Sequence, residues 1–394
     1  MKPATIAVPR AVWVLGFVSL FMDLSSEIIH ALLPLFLTTT LGVSVAVVGA
    51  IDGVAEATAS ITKVFSGYIS DRIGKRRPLI LIGYGLAALT KPLFALAGSA
   101  EVVLGARFAD RIGKGLRGAP RDALVADVTP PEIRGKAFGL RQSLDTIGAF
   151  AGPMLSIGLM FVFASNIRTV FWFAIIPAVI AVLLVVMGVE DVPAAKPDAT
   201  ARPPIQMVDL KRLTRPFWET TVIGVVFTLA RFSEAFLILK ASAEGLPLAL
   251  APLVLVVMNV VYALGAYPAG RLSDRMSARS ILVVGMFCLI LADLMLALVS
   301  GITAAFVGIA LWGAHMALTQ GLFAKLVADH SPAELRGSAY GLFNLATGVA
   351  LLLASVTAGL LWVRVGANAT FLAGAGFASI AVLLLLIPQF RSHI

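Results

Sequence analysis

Asp23, Glu27 and His30 are spaced four and three residues apart, so a helix carries all three on one face. Their neighbours are almost wholly apolar. An ionisable group at bilayer depth is costly and faces a cavity or a partner. Two acids one turn apart in such surroundings cannot both ionise freely, so one is expected to hold a proton. Asp23 and Glu27 are therefore the candidate proton carriers, and His30 is expected to be a polar cavity residue rather than a metal ligand.

Other apolar stretches carry charges at helical spacing. They are Asp52, Glu56 and Lys63; Arg107, Asp110, Arg111, Lys114, Arg117 and Arg121; Arg141 and Asp145; and Arg231 and Glu234. Asp293 and His315 stand alone. Arg117 and Arg121 are expected at a solvated helix end, and Arg141 with Asp145 as an ion pair. Glu234, beside Ser233, repeats the Ser-Glu pair of residues 26–27 and is a further proton-coupling candidate unless Arg231 neutralises it. Glu56, Arg111, Asp145, Arg231, Tyr262 and His315 complete the expected cavity wall with His30.

The elements that hold these groups follow from composition. Of 394 residues, 59% are hydrophobic and 13% charged, with a mean hydropathy of +0.94. A soluble domain carries roughly 25% charged residues, so a soluble enzyme and a disordered chain are both excluded. Twelve stretches are long enough for the about 20 residues a membrane helix needs. They lie near 11–38, 45–69, 78–98, 101–127, 134–163, 167–189, 214–240, 247–270, 279–299, 301–328, 336–362 and 367–389. The net charge of +9 does not indicate nucleic acid, because Lys and Arg gather in alternate short loops. That asymmetry predicts both termini in the cytoplasm. The single cysteine, Cys288, has apolar flanks and is expected to be buried and inert.

Half the chain repeats the other half. Residues 124–140 read LVADVTPPEIRGKAFGL and residues 326–342 read LVADHSPAELRGSAYGL. Duplication predicts an all-α membrane protein of two pseudo-symmetric six-helix bundles. The bundles are 1–190 and 214–394, joined by a proline-rich cytoplasmic linker over 191–213. Thr129 with Glu132, and Ser331 with Glu334, are spaced as capping boxes for the helices that follow.

Residues 67–77, GYISDRIGKRR, resemble the loop 2–3 signature of the major facilitator superfamily, and a weaker copy runs from Gly270 to Arg279. Leu104-Gly-Ala-Arg107, with Gly113 and Gly115, is similar to the same family's span-4 arginine motif. Gly148, Gly152 and Pro153 match its antiporter signature, in which small residues allow close helix packing and proline bends the helix. The resemblance implies gating by Asp71, Arg72 and Arg76, with Asp274 and Arg275 in the copy. Glu132, Arg134, Glu334 and Arg336 are the expected gate residues of the repeated turn. It implies that Arg107 assists proton transfer. The expected activity is proton-coupled antiport that exports a small organic compound by alternating access. Import of an organic anion by symport, export of a divalent metal, and a non-transporting role on the same fold are the alternatives. No phosphate-binding G-x-x-x-x-G-K-[ST] loop occurs. No enzymatic activity and no cofactor beyond the proton gradient are expected. The partners are a small-molecule substrate, protons and lipid, with no nucleic acid, and the protein is expected as a monomer in a bacterial inner membrane.

Overall fold

A computed structural model describes residues 7–190, 210–273, 276–332 and 335–387. Most of the expected linker, together with Asp274, Arg275 and Glu334, lies outside the described residues, as does the side chain of Asp71. Every regular element among the described residues is helical. The long helices are α1 (Arg10–Thr40), α2 (Val45–Ile73), α3 (Arg77–Leu96), α4 (Ala100–Asp127), α5 (Arg134–Val162) and α6 (Ile167–Gly188). They continue as α7 (Arg215–Ala243), α8 (Leu253–Ser273), α9 (Ala278–Leu298), α10 (Ile302–Asp329), α11 (Arg336–Arg364) and α12 (Ala367–Leu386). Among the described residues, eleven are long and apolar enough to cross a membrane. The exception is α4, which has the length, 28 residues, but carries a row of charges.

The contacts group the chain into two compact units, Met1–His30 with Thr58–Pro203, and Ala31–Ala57 with Pro204–Ile394. In the first, α1 packs on α5 and α6, and α3 on α4. Val12, Leu15, Val18 and Met22 of α1 meet Ile80 and Tyr84 of α3 and Ala178 and Val185 of α6 in its core. In the second, α9 packs on α10 and α12, and α7 on α11 and α12. Glycines seat the head of α2 there: Gly49 and Gly53 lie against the α11 backbone at Ser355 and Leu352.

Three helices are interrupted, and side chains satisfy the backbone groups this frees. Past Pro34, α1 ends in a wide π turn over Phe36–Thr40, where Thr39 donates to the Leu35 carbonyl at 2.6 Å. α6 breaks at Ala174, whose carbonyl accepts from Ser25 of α1 at 2.6 Å. α7 opens between Ala230 and Ala235, and there the Ser233 amide donates to Ser355 Oγ of α11 at 3.2 Å.

The expected capping box at Thr129 does not form, and the one at Ser331 turns on Glu334, which lies outside the described residues. Thr129 donates back to the Val125 carbonyl at 2.6 Å and Ser331 to the Val327 carbonyl at 2.5 Å. Each hydroxyl thus closes the preceding helix, a competing use of a short polar side chain. Caps of the expected kind occur at Thr214 and Ser277, which accept from the Phe217 and Ser280 amides. Cys288 is half-buried rather than sealed.

Candidate functional site

The charges of α1, α4 and α5 converge within the first unit. Asp145 of α5 stands against Asp23 of α1, close enough for the two carboxyls to share a hydrogen bond, with Lys114 and Arg117 of α4 also acting on Asp23. Asp145 is in turn 3.6 Å from Arg141 and 3.8 Å from Arg121. Glu27 turns to His30, with Oε2 3.4 Å from Nδ1, and Lys114 and Arg111 lie in electrostatic reach of it. The two α1 acids thus have different partners rather than each other.

The positions on α1 follow from α5. A Cβ built on Gly148 would collide with the Leu20 carbonyl, and one on Gly152 would lie 2.6 Å from Glu27 Cβ and 3.0 Å from the Leu24 carbonyl. Pro153 is buried in the same helix. Only glycine lets the backbones come this close. Ser156, one turn on, donates to the Ile28 carbonyl at 3.3 Å.

Arg117 does not reach solvent as expected, and Arg121 does so only in part. Arg117 is buried with its guanidinium 4.6 Å from the centre of the Tyr84 ring, a cation–π arrangement. Arg121 donates to Ser19 Oγ at 3.0 Å and pairs with the adjacent Asp122 at 3.1 Å. Their shared location follows from packing of α4 against α1 and α3, which spacing along α4 alone does not disclose.

Lys91 of α3 is absent from the sequence-based candidates. It is buried, pairs with Asp110 at 2.9 Å and donates to Ser26 of α1 at 3.1 Å. Arg107, Arg111 and Arg117 also act on Asp110. Arg107 and Arg111 are themselves buried. The signal was a lysine between Thr90 and Pro92 in an otherwise apolar span.

At the loop between α2 and α3, Arg76 bridges Ser70 Oγ at 2.9 Å and Asp127 at the end of α4 at 3.4 Å. Arg72 donates to the Tyr68 hydroxyl at 2.9 Å. Arg134 donates to the Thr129 carbonyl at 3.4 Å, and Arg336 to the Ala328 carbonyl at 3.3 Å. The two arginines each hold the backbone where the preceding helix ends. Glu132 is exposed.

In the second unit the polar groups gather at the break in α7. Ser233 Oγ donates to Asp52 of α2 at 2.7 Å, and Glu56 is half-buried one turn further on. Arg231 lies over Phe227 at 5.7 Å, with Glu234 and Tyr262 in electrostatic reach. Because α7 is open here, Arg231 and Glu234 do not share a helical face as their spacing predicts. His315 is fully buried between Phe227 and Trp312, at ring distances of 6.2 and 5.4 Å, so it does not line an open wall. Neither ring nitrogen makes a hydrogen bond of good geometry. Phe232, Phe236 and Trp312 are buried against one another and form core.

Ionisable groups buried on membrane-length helices are what a membrane transporter sets along the path of a substrate or ion. Among the described residues no group of three His, Cys, Asp or Glu could hold a metal ion. A sequence model of the Major Facilitator Superfamily matches residues 15–350 and 242–393. The chain belongs to that family, whose transporters generally need no cofactor. It is 31% identical to an uncharacterized MFS-type transporter of Methanocaldococcus jannaschii, MJ1317, over 96% of this chain and 94% of the relative. It is 26% identical to the multidrug resistance protein MdtH of Photorhabdus laumondii, over 85% and 82%. In fold it is similar to the nucleoside transporter NupG, with a TM-score of 0.80 over 98% of this chain and all of that one, at 14% identity.

Proposed function

We propose that the protein is a proton-coupled antiporter that exports a small organic compound by alternating access. The observation that carries this reading is the approach of Asp23 to Asp145. Two carboxyls that share a hydrogen bond need one proton between them, and a site that needs one proton can take it up and give it back. Lys114 and Arg117 of α4 lie in electrostatic reach of the pair, and Glu27, Arg107 and Glu234 take supporting parts. Gly148 and Gly152 hold α5 on α1, so a shift of either helix changes the distance between the acids. Similarity to MdtH, a multidrug resistance protein, supports export of drugs or metabolites.

The architecture proposed with it is twelve spans, α4 among them, in two six-helix halves over 1–190 and 214–394 that rock as a monomer in an inner membrane. Both termini are cytoplasmic in this arrangement. His30, Glu56, Arg111, Arg231 and Tyr262 face the substrate path. Gating falls to Asp71, Arg72, Arg76, Glu132 and Arg134 in the first half, and to Asp274, Arg275, Glu334 and Arg336 in the second.

Growth of cells with and without the protein against a panel of toxic compounds identifies a substrate. Reconstituted vesicles then measure its movement under an imposed pH gradient. Asp23→Asn is expected to abolish gradient-driven export while leaving exchange of substrate for substrate. Full gradient-driven export by Asp23→Asn rejects the reading.

A second reading is uptake of an organic anion with protons. It is supported by Arg117, whose buried Nη1 has no hydrogen-bond partner, beside Arg107 and Arg111. Substrate accumulation inside right-side-out vesicles under an inward proton gradient would favour it over export.

A further inference from the structure

Asp293 of α9 is fully buried, and neither carboxyl oxygen has a hydrogen-bond partner. Orphaned buried polar groups are rare, and each needs a cause. The carboxyl points at Gly374 of α12. A Cβ built on Gly374 would lie 2.5 Å from Asp293 Oδ2, 3.1 Å from the Phe232 ring and 3.2 Å from the Ala230 carbonyl oxygen. The acid, the aromatic ring inside the α7 break and the last carbonyl before it therefore converge on the space that Gly374 leaves open. Helix-terminal carbonyls lack amide partners and carry the negative end of the helix dipole. A small cleft of about 10 Å³, room for about one water, lies between α7, α11 and α12, shares Phe232 and Gly374 with this spot and brings Thr357 and Thr370 to it.

No charged side chain among the described residues acts on Asp293. His315 of α10 is faced by Arg231, and Arg231 by Glu234 and Tyr262. α12 contains no titratable residue. A bound metal ion is disfavoured by the donor set. Hard divalent cations take six or more oxygens, whereas here two carboxylate oxygens and one carbonyl meet among aromatic rings.

We propose that Asp293 is a proton-binding site at the break in α7, separate from Asp23 and Asp145, and that loss of its proton loosens the junction of α7, α9 and α12. Protonated, the acid is neutral and can donate its O–H to the Ala230 carbonyl after a small rotation. Ionised, it is an unpaired charge beside a carbonyl that repels it, and the closed packing cannot hold that state.

The test uses the full-length protein in lipid nanodiscs and needs no substrate. Infrared difference spectra between acid and alkaline pH are recorded for the wild type, Asp293→Asn and Asp23→Asn. The wild type is expected to lose a carbonyl-stretch band of a buried protonated carboxyl as pH rises. Asp293→Asn is expected to lack that component, and Asp23→Asn to retain it, so failure here and failure of the antiport reading are separate results. Amide exchange over residues 229–235, corrected for its intrinsic pH dependence, is expected to rise with pH in the wild type and to stay low in Asp293→Asn. If Asp293→Asn does not fold, Asp293→Glu keeps the acid and should shift the band. An infrared band and exchange profile that are the same with and without the Asp293 acid overturn the proposal, as does a wild type with no such band.

Discussion

Lys91 donates to Asp110 across 2.9 Å, with side-chain exposures of only 1% and 4%. The lysine comes from α3 and the aspartate from α4, so the pair ties two helices of the first unit. Removing one partner of a buried pair costs about 3–5 kcal/mol when the other is left uncompensated. Lys91→Met leaves Asp110 facing Arg107, Arg111 and Arg117, whereas Asp110→Leu strands Lys91 and takes away the acid that those buried arginines also face. Asp110→Leu is therefore expected to lower the thermal midpoint in detergent by much more than Lys91→Met. Equal losses in the two variants would show that the arginines do not depend on Asp110.

The approach of α5 to α1 gives a graded series. Gly148→Ala and Gly152→Ala place a methyl group against the Leu20 carbonyl and Glu27 Cβ. Overpacking of this kind typically costs about 1–3 kcal/mol. Gly158, on the same helix, has nothing within 4 Å of its built Cβ. Gly158→Ala should be neutral or stabilising, because alanine favours a helix over glycine by about 1 kcal/mol. Thermal unfolding of the three variants separates a specific contact from general intolerance of substitution. Equal losses at all three positions would contradict the contact.

The helices were legible because long apolar runs separated by charged loops leave one fold class. The charged positions on α1, α4 and α5 were legible for a related reason: a charge in an apolar run costs energy and stands out. Their partners were not, because pairing depends on how each helix is rotated about its axis. Spacing alone set Asp23 beside Glu27, yet Asp145 stands against the one and His30 turns to the other. Arg117 lies buried over Tyr84 because α3 packs there, a contact invisible in the periodicity of α4. The opening in α7 falls on Arg231, Phe232, Ser233 and Glu234, which include no proline or glycine. It is held by groups distant in sequence, Ser355 and Asp52.

That opening makes Ser233 a useful probe. Its hydroxyl donates to Asp52 at 2.7 Å and accepts from the Ala235 amide at 3.1 Å, so one side chain both anchors α2 and caps the second half of α7. A hydrogen bond contributes about 0.5–1.5 kcal/mol. A lost cap adds about 1 kcal/mol. Ser233→Ala is expected to lower stability by about 2 kcal/mol, and Ser233→Thr, which keeps the hydroxyl, by much less. Amide exchange at residues 233–237 locates the effect. Unchanged exchange there in Ser233→Ala would place the cause elsewhere.

Glu244, which follows α7, offers a pH test outside the spans. One carboxyl oxygen is 2.6 Å from Lys240 Nζ, and the other accepts from the Gly301 amide at 2.5 Å, before the first turn of α10. These donors favour the ionised form, and the Lys240 hydrogen bond does most to hold the carboxyl below the ordinary glutamate range. A group lowered in the folded state contributes its stability above its unfolded pKa, about 4.3 for glutamate. That contribution is lost as pH falls through the lower, folded value. Protection of the Gly301 amide is therefore expected to be complete at neutral pH and to decline only under acid conditions below that value. Glu244→Ala should leave the amide unprotected at every pH. Glu244→Gln retains an acceptor but has no charge to lose, so its protection should be weaker and flat across the acid range. A wild-type profile as flat as that of Glu244→Gln would show that the carboxylate charge does not hold the α10 end.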